Sequence, residues 1–322
     1  MRRMSARRNV LERWQWRLHH ALALARASTG AGAGFRGAWR GLQFLLLRRL
    51  TTIVAVEGDG VCYFVSTHDT GVGLPVYVHG ALDPQDMRVA IDVLELSGYK
   101  PFANGPRHFV DIGANIGTST IQAITRHGAS GAIAFEPDDG NIALLRHNLL
   151  ANGLSERVTV IQAAVTDKCA PVALERSKDN FGDHRVRLDV AIRGAIFREH
   201  ARAVTTVTGV TLDSQVQSGA LDLDRVGLVS IDTQGHEAHV LSGADHLRSA
   251  DVPVMLEYWP YGLRAADGLE QLHAIIGHSY DRYVDLAIPF KDGRIAFHPA
   301  TELGALAGSL HELGWTNILL FH

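Results

Sequence analysis

The 322-residue chain is 46% hydrophobic and 20% charged, an ordinary balance for a globular protein and enough for one large domain with extensions or two modest ones. Its two cysteines, Cys62 and Cys169, form no CxxC pair, which excludes a disulfide framework and a cysteine-only zinc site and makes a reducing interior the simpler setting. Residues 1–50 carry eleven arginines against one acid, Glu12, a surplus of ten positive charges that leaves −13 on the remainder of a chain whose net charge is −3; so acidic a body argues against nucleic acid as the main ligand.

The basic front comes first in chain order. Its apolar runs are interrupted by arginine and histidine and are too short for a secretory signal or a membrane span. Leu11, Trp14, Leu18, Leu22 and Ala25 recur at helical spacing, as do Phe35, Trp39, Leu42 and Leu46, with "STGAGAG" as a hinge between them. Two tryptophan-bearing, arginine-flanked helices suit the surface of an anionic membrane. The alternative is that their apolar faces dock on the acidic body or stay disordered. The string "GAGFRG" at 32–37 matches a dinucleotide fingerprint, but "ALALARA" before it is a helix former, and the fingerprint works only after a strand.

Residues 52–79 are rich in β-branched and aromatic residues punctuated by glycine and read as a short antiparallel strand region. "DPQDMRVAIDVLELSG" (83–98) has the acidic start, periodicity and terminal glycine of a helix. From 108 strands and helices alternate: "HFVDIG", a helix over 117–127, "AIAFEP", a helix over 139–152, then "VTVIQAAV" as one strand. Residues 170–210 interrupt with extra β-structure expected at the sheet edge. The alternation resumes with "VGLVSIDTQG", a helix over 236–249, "VPVMLEYWP", a helix near 268–279, "RYVDLAI" and a last strand "NILLFH". This pattern predicts a doubly wound α/β sheet. The expected organisation is a basic helical extension (1–50), a small β/helix cap (51–104) and a Rossmann-like domain (105–322) carrying the insert.

Such sheets bind ligands beyond the carboxyl ends of their strands. That rule collects Asp111–Gly117, Glu136 and Pro137, Asp167, Asp232–Glu237 and Glu257 along one rim. Gly113 and Gly117 permit a tight turn and close backbone approach at a helix start, though strand-to-helix turns use glycine for structure alone as well. Asp111 beside that turn would repel a phosphate and attract an ammonium or sulfonium, which disfavours a nicotinamide nucleotide. Glu136 has the acceptor pair to hold a ribose diol. A cationic amino-acid end joined to a ribose describes S-adenosylmethionine.

The strings "FVDIGANIG", "AFEPD", "HNLLANGL", "AAVTD", "DTQGHE", "VLSGA" and "VMLEYWP", in this order over roughly 105–260, resemble the FkbM-type class I S-adenosylmethionine-dependent methyltransferases, with "NFGDHR" similar to the family's inserted segment. The resemblance implies a seven-stranded Rossmann-like sheet with an antiparallel last strand, and methyl transfer to a hydroxyl of a sugar or natural product. It also implies that Asp111, Gly113, Ala114, Asn115 and Gly117 line the methionine end, Glu136 and Pro137 the ribose, and Ala164 to Asp167 the adenine. Where many members carry a lysine and a glutamate flanking the later aspartate, this chain has Ser230 and Gln234, so no metal is expected.

Asp232 is the candidate to orient the acceptor or take its proton, although helix capping is the ordinary task of an aspartate there. Glu257, beside Tyr258 and Trp259, is a candidate for acceptor binding, and His184 of "GDHR" has a near-neutral intrinsic pKa suited to a base. His236 and Glu237 fall in a first helical turn, where the dipole alone favours glutamate. There is no GxSxG, Walker lysine loop or HExxH. The expected protein is a cytoplasmic O-methyltransferase acting on a sugar, glycolipid or secondary-metabolite hydroxyl, with residues 1–50 able to touch the inner face of the membrane. The rival is a non-catalytic Rossmann-fold binding or scaffold protein, which has no need to keep Asp111 and Glu136.

Overall fold

The computed structural model describes residues 34–82, 84–103, 105–187, 202–311 and 313–322. The expected helix through Leu11–Ala25, the hinge before residue 34, the start of "GAGFRG" and most of "VRLDVAI" lie outside the described residues. The chain divides into two units, one ending at Leu82 and including Lys178–Asn180, the other holding Asp83–Ser177 and Phe181–His322.

In the first unit α1 (Gly34–Leu47) precedes the antiparallel hairpin β1 (Ile53–Gly58) and β2 (Val61–Ser66). Asp59 and Gly60 both have positive φ (50° and 78°), the requirement of a two-residue type I′ turn, so the Asp-Gly pair sets the register Gly58↔Val61. Residues 73–79, expected as β-structure, form helix α2 (Gly73–His79). The reason lies upstream: buried Asp69 accepts the main-chain N–H groups of Gly71, Val72 and Gly73 at 3.0–3.1 Å and so satisfies the orphan donors of a helix start. Helix α1 turns Gly37, Gly41 and Phe44 inward, with Phe44 against Tyr77 at 5.3 Å, rather than the expected Trp39–Leu42–Leu46 stripe.

The second unit begins with α3 (Pro84–Leu96) and then follows the predicted alternation: β3 (His108–Ile112), α4 (Thr118–Thr125), β4 (Gly131–Phe135), α5 (Asp139–Ala151), β5 (Val158–Ile161). "VTVIQAAV" is not one strand. After Ile161 the chain leaves the sheet, and β6 (Ala164–Val165) pairs with a distant segment. The insert is likewise not an extension of the sheet edge. β7 (Val172–Arg176), β8 (Arg185–Arg187) and β9 (Ala203–Val207) form a separate antiparallel sheet in the order β8-β7-β9, and β10 (Gly209–Val210) is the partner of β6.

Helix α6 (Leu212–Gln217), capped by Thr211, leads to β11 (Val226–Ile231). The expected helix over 236–249 is broken into α7 (Glu237–Ser242) and α8 (Asp245–Arg248). Gly243 makes the break because a Cβ there would stand 2.4 Å from the Thr166 carbonyl, and Asp213 then accepts the N–H groups of Asp245 and His246 at 2.9 Å to restart the helix. β12 (Val254–Tyr258), α9 (Pro260–Ala265), α10 (Leu269–Ser279), β13 (Arg282–Asp285), the small hairpin β14 (Phe290–Lys291) and β15 (Arg294–Ile295), β16 (His298–Pro299), α11 (Leu303–Ser309) and β17 (Thr316–Phe321) complete the unit.

The central sheet runs β16-β13-β17-β12-β11-β3-β4-β5. It has eight strands where seven were expected, the extra one being the two-residue edge strand β16. β17 is antiparallel to both neighbours, and β12, β11, β3, β4 and β5 are mutually parallel. This is a Rossmann-like doubly wound sheet. β4 and β11 are buried on every residue, as a sheet covered on both faces requires. Chain order departs from β3 toward β4 and β5 on one side and resumes at β11 and β12 on the other, so the switch point lies between β3 and β11.

Candidate functional site

Strand register aligns the site. Phe135, Ile112, Ile231 and Leu256 are paired across β4, β3, β11 and β12. The residues one step further form a row at the carboxyl ends: Glu136, Gly113, Asp232 and Glu257. At the usual strand spacing the row spans about 14 Å. Of the rim expected from sequence, these four positions line up, with Asp111 two residues behind Gly113, while Asp167 lies outside the row.

Gly113 (φ 89°) turns the chain where it crosses β11: a Cβ there would stand 1.9 Å from the Asp232 carbonyl oxygen. The Gly113 and Ala114 N–H groups both donate to the Phe135 carbonyl at 3.0 Å. Asn115 is left-handed as well (φ 51°), a conformation its side chain secures by accepting the Ile116 N–H at 2.8 Å. Its main-chain N–H donates to Glu136 Oε2 at 2.9 Å and its amide to the Phe181 carbonyl of the insert at 2.9 Å. Gly117 then opens α4, its hydrogen lying where a Cβ would strike Leu145.

Asp111 is buried and accepts Thr120 Oγ1–H at 2.5 Å. Burial raises its carboxyl to about 7, with Asp232 adding to the rise and Thr120 opposing it. Glu136 is raised to about 7 by burial, although Asn115 and, at 2.8 Å, Asp138 donate main-chain N–H groups to it. Pro137 carries the chain from Glu136 to Asp138, which caps α5 through Gly140 and Asn141 and pairs with Arg176 at 2.6 Å.

Asp232 and Glu257 are joined by a residue that sequence reasoning noted only as a departure. Gln234 Nε2 donates to Asp232 Oδ1 at 2.7 Å and to Glu257 Oε2 at 2.9 Å. Asp232 is exposed at its surface, yet the protein around its carboxyl raises its pKa by desolvation, with the charge of Asp183 adding to the rise and Gln234 opposing it. Glu257 rises well above the usual range through burial, then through Asp232 and Glu237. Both carboxyls of the pair are thus pushed toward their neutral forms, each by burial first. Gln234 has φ 56°; the other non-glycine residues of positive φ among those described are all Asn or Asp, which tolerate it better. Glu237 does not face the row: Oε1 accepts from Thr233 N–H, Thr233 hydroxyl and Gly235 N–H at 3.0–3.1 Å and so shapes the loop.

His184 stands apart from the Asp232–Glu257 pair in its contacts. Its Nδ1 accepts the Ser177 N–H at 3.1 Å, its Nε2 lies 3.8 Å from Asp138, and burial lowers its pKa, so it is a neutral imidazole. The "GDHR" motif reaches the pair through its other members. Asp183 binds Arg185 and Arg202, its charge raises Asp232, and the Arg185 guanidinium lies 4.6 Å over the Trp259 ring. Of the segment assigned to adenine, Ala164 is buried and Asp167 half-buried beside Lys168, while Thr166 bonds His236 at 2.9 Å. Among the described residues no group of three or more His, Cys, Asp or Glu is arranged to hold a metal ion.

No curated protein sequence matches the chain. Among solved structures it is similar to an FkbM methyltransferase from Methylobacillus flagellatus (14% identity, TM-score 0.39), covering 88% of this chain and 59% of that one. It is also similar to TYW2 of Pyrococcus horikoshii in complex with MeSAdo (10%, TM-score 0.39, 84% and 72% covered) and to the Bacillus subtilis tRNA methyltransferase TrmK (15%, TM-score 0.35, 73% and 63%). At such scores these likenesses add nothing to the strand order above. The Methyltransferase FkbM domain, by contrast, matches residues 111–275, which is over half of the sequence and holds every member of the row. The chain belongs to the FkbM methyltransferase family.

Proposed function

We propose that the protein is an S-adenosylmethionine-dependent O-methyltransferase acting on a hydroxyl of a sugar, glycolipid or secondary metabolite. One observation carries the reading: Glu136, Gly113, Asp232 and Glu257 end four adjacent strands in register, with buried Asp111 behind them. The residues fit the donor. Burial raises the pKa of Asp111, and its electrostatic neighbours Thr120 and Asp232 include no cation to offset that rise. An ammonium or sulfonium nearby would restore its ordinary ionisation. Glu136 accepts a backbone donor on each oxygen, with the Asn141 side chain as a further donor, and its remaining acceptor capacity suits a ribose diol. Gly113 and Ala114 keep the turn narrow enough for a ligand to lie against main chain.

When bound, the donor supplies a methyl group already activated on a positively charged sulfur. The protein's work is then orientation and proton removal. Asp232 would accept a hydrogen bond from the acceptor hydroxyl and take its proton as the oxygen–carbon bond forms and the sulfur–carbon bond breaks, leaving a neutral thioether. Its raised pKa makes it a better base than an aspartate of ordinary pKa. Burial favours the neutral form of Glu257 and Gln234 donates to both carboxyls, which limits the build-up of like charge beside Asp232. Trp259, stacked under Arg185, supplies an apolar wall beside Glu257. Asp232→Asn is expected to cut turnover at least ~100-fold, the low end of general-base catalysis. The assay is transfer of a labelled methyl from S-adenosylmethionine into small molecules extracted from source cells. Full transfer by the variant would remove Asp232 from this role, and no transfer by the wild type into any carbohydrate-bearing or small-molecule fraction would remove the acceptor class.

A further inference from the structure

Helix α1 has two faces of different character. At about 100° per residue, Gly37, Gly41 and Phe44 share the side packed into the first unit, and Trp39, Leu42 and Leu46 share the opposite side. Trp39 is 53% exposed and Leu46 52%; Leu50 in the following turn reaches 83% and Ile53 48%. Four of the large exposed hydrophobic residues thus fall within fifteen positions, the densest such run among the described residues. An apolar strip of this kind marks a surface that meets something.

The charges beside the strip identify what it meets. From Arg13 to Val56 the sequence contains no acid. Arg40 and Arg48 turn toward the unit's interior side, Arg40 over Tyr77 at 5.2 Å and Arg48 onto His68 and Asp179. Arg36 and Arg49 are exposed near the ends of the strip. A second copy of the same face would set arginine against arginine, so self-association is disfavoured. No helix among the described residues is long and apolar enough to cross a membrane. A short helix with tryptophan and leucine on one side and arginine at the margins instead suits the boundary between headgroups and acyl chains.

We infer that α1 and the turn after it dock on an anionic lipid surface, with Trp39, Leu46 and Leu50 entering the interface and Arg36 and Arg49 meeting the headgroup phosphates. The inference is independent of the methyl-transfer reading. It would bring the protein to acceptors carried on lipid.

The test uses the full chain and vesicles of phosphatidylcholine, with or without about one-third phosphatidylserine. The protein is expected to sediment with the anionic vesicles only, and to be released as salt shortens the screening length from about 10 Å at 0.1 M to about 3 Å at 1 M. The double variant Leu46→Glu with Leu50→Glu should lower the partition coefficient at least about tenfold, while its melting temperature stays unchanged because both sites are more than half exposed. Trp39→Ala should weaken binding less, and its loss should remove most of the fluorescence change on adding vesicles. Failure of the wild type to sediment overturns the inference. So does undiminished binding by the folded double variant, which would assign the contact to residues 1–33.

Discussion

Gln234→Leu keeps the size of the side chain and removes both amide donors, and its consequences can be worked out from the two contacts. In the ionised state its proposed role as a base requires, Asp232 makes the 2.7 Å contact charge-assisted, a contribution of about 1.5–3 kcal/mol. The 2.9 Å contact to Glu257, whose carboxyl burial pushes toward the neutral form, counts as an ordinary hydrogen bond of about 0.5–1.5 kcal/mol. Asp232 keeps some solvent contact, which pulls the first figure toward its lower end. Leucine keeps a Cβ at φ 56°, so no backbone strain is relieved. The expected net cost is about 2 kcal/mol, most of it appearing as proton affinity rather than unfolding, because a carboxylate deprived of its donor protonates more readily. At 1.36 kcal/mol per pKa unit this corresponds to a rise of about one unit at Asp232. Carbon-13 carboxyl shifts followed through a pH titration of the ligand-free protein read this directly, with urea denaturation at neutral pH as the control. An Asp232 titration in the variant that overlays the wild type would refute the reasoning, since the amide would then not be what sets the pair's ionisation.

Gly113→Ala is expected to destabilise the fold by at least about 2 kcal/mol, since the new Cβ meets the Asp232 carbonyl at 1.9 Å and the backbone sits at φ 89°; a denaturation midpoint equal to wild type would show that the turn and β11 are not in contact. The pH dependence has a defined sign. Asp111, Glu136 and Glu237 titrate at about 7 when folded and about 4 when unfolded, so the folded state binds more protons between those values. Stability from these groups is fully present below the lower value and is lost as pH rises through about 7; a ligand-free melting temperature that climbs between about pH 5.5 and 8 would contradict it.

Much of the central domain was legible because its signals are local. The apolar runs ending at Asp111, Phe135 and Ile231, the glycines after Asp111, and the helical stop at Gly153 each act within a few residues, and the strand order follows from their alternation. What the sequence alone could not supply depends on distant partners. "VTVIQAAV" reads as one strand until Ala164 N–H is found donating to Thr208, forty-four residues on. The helix over 236–249 breaks because Gly243 meets Thr166, and 73–79 becomes helical because Asp69 caps it. In the site, Asp111, Glu136, Asp232 and Glu257 were visible as strand-terminal acids. Gln234 was visible only as a missing carboxylate, since nothing local says that its amide reaches two acids on different strands. His184 drew attention by residue type, whereas Asp183 and Arg185 on either side of it make the contacts that reach Asp232 and Trp259.

The central claim is that the carboxyl-end row is the seat of a cationic nucleoside donor, and Asp111 tests it most directly. Calorimetric titration with S-adenosylmethionine should give saturable one-site binding to the wild type and a loss of about 1.5–3 kcal/mol in Asp111→Asn, the range for a charge-assisted hydrogen bond. NAD, whose phosphates Asp111 would repel, should give no heat under the same conditions. Equal S-adenosylmethionine affinity in the wild type and a folded Asp111→Asn variant, or saturable binding of NAD, would contradict the account.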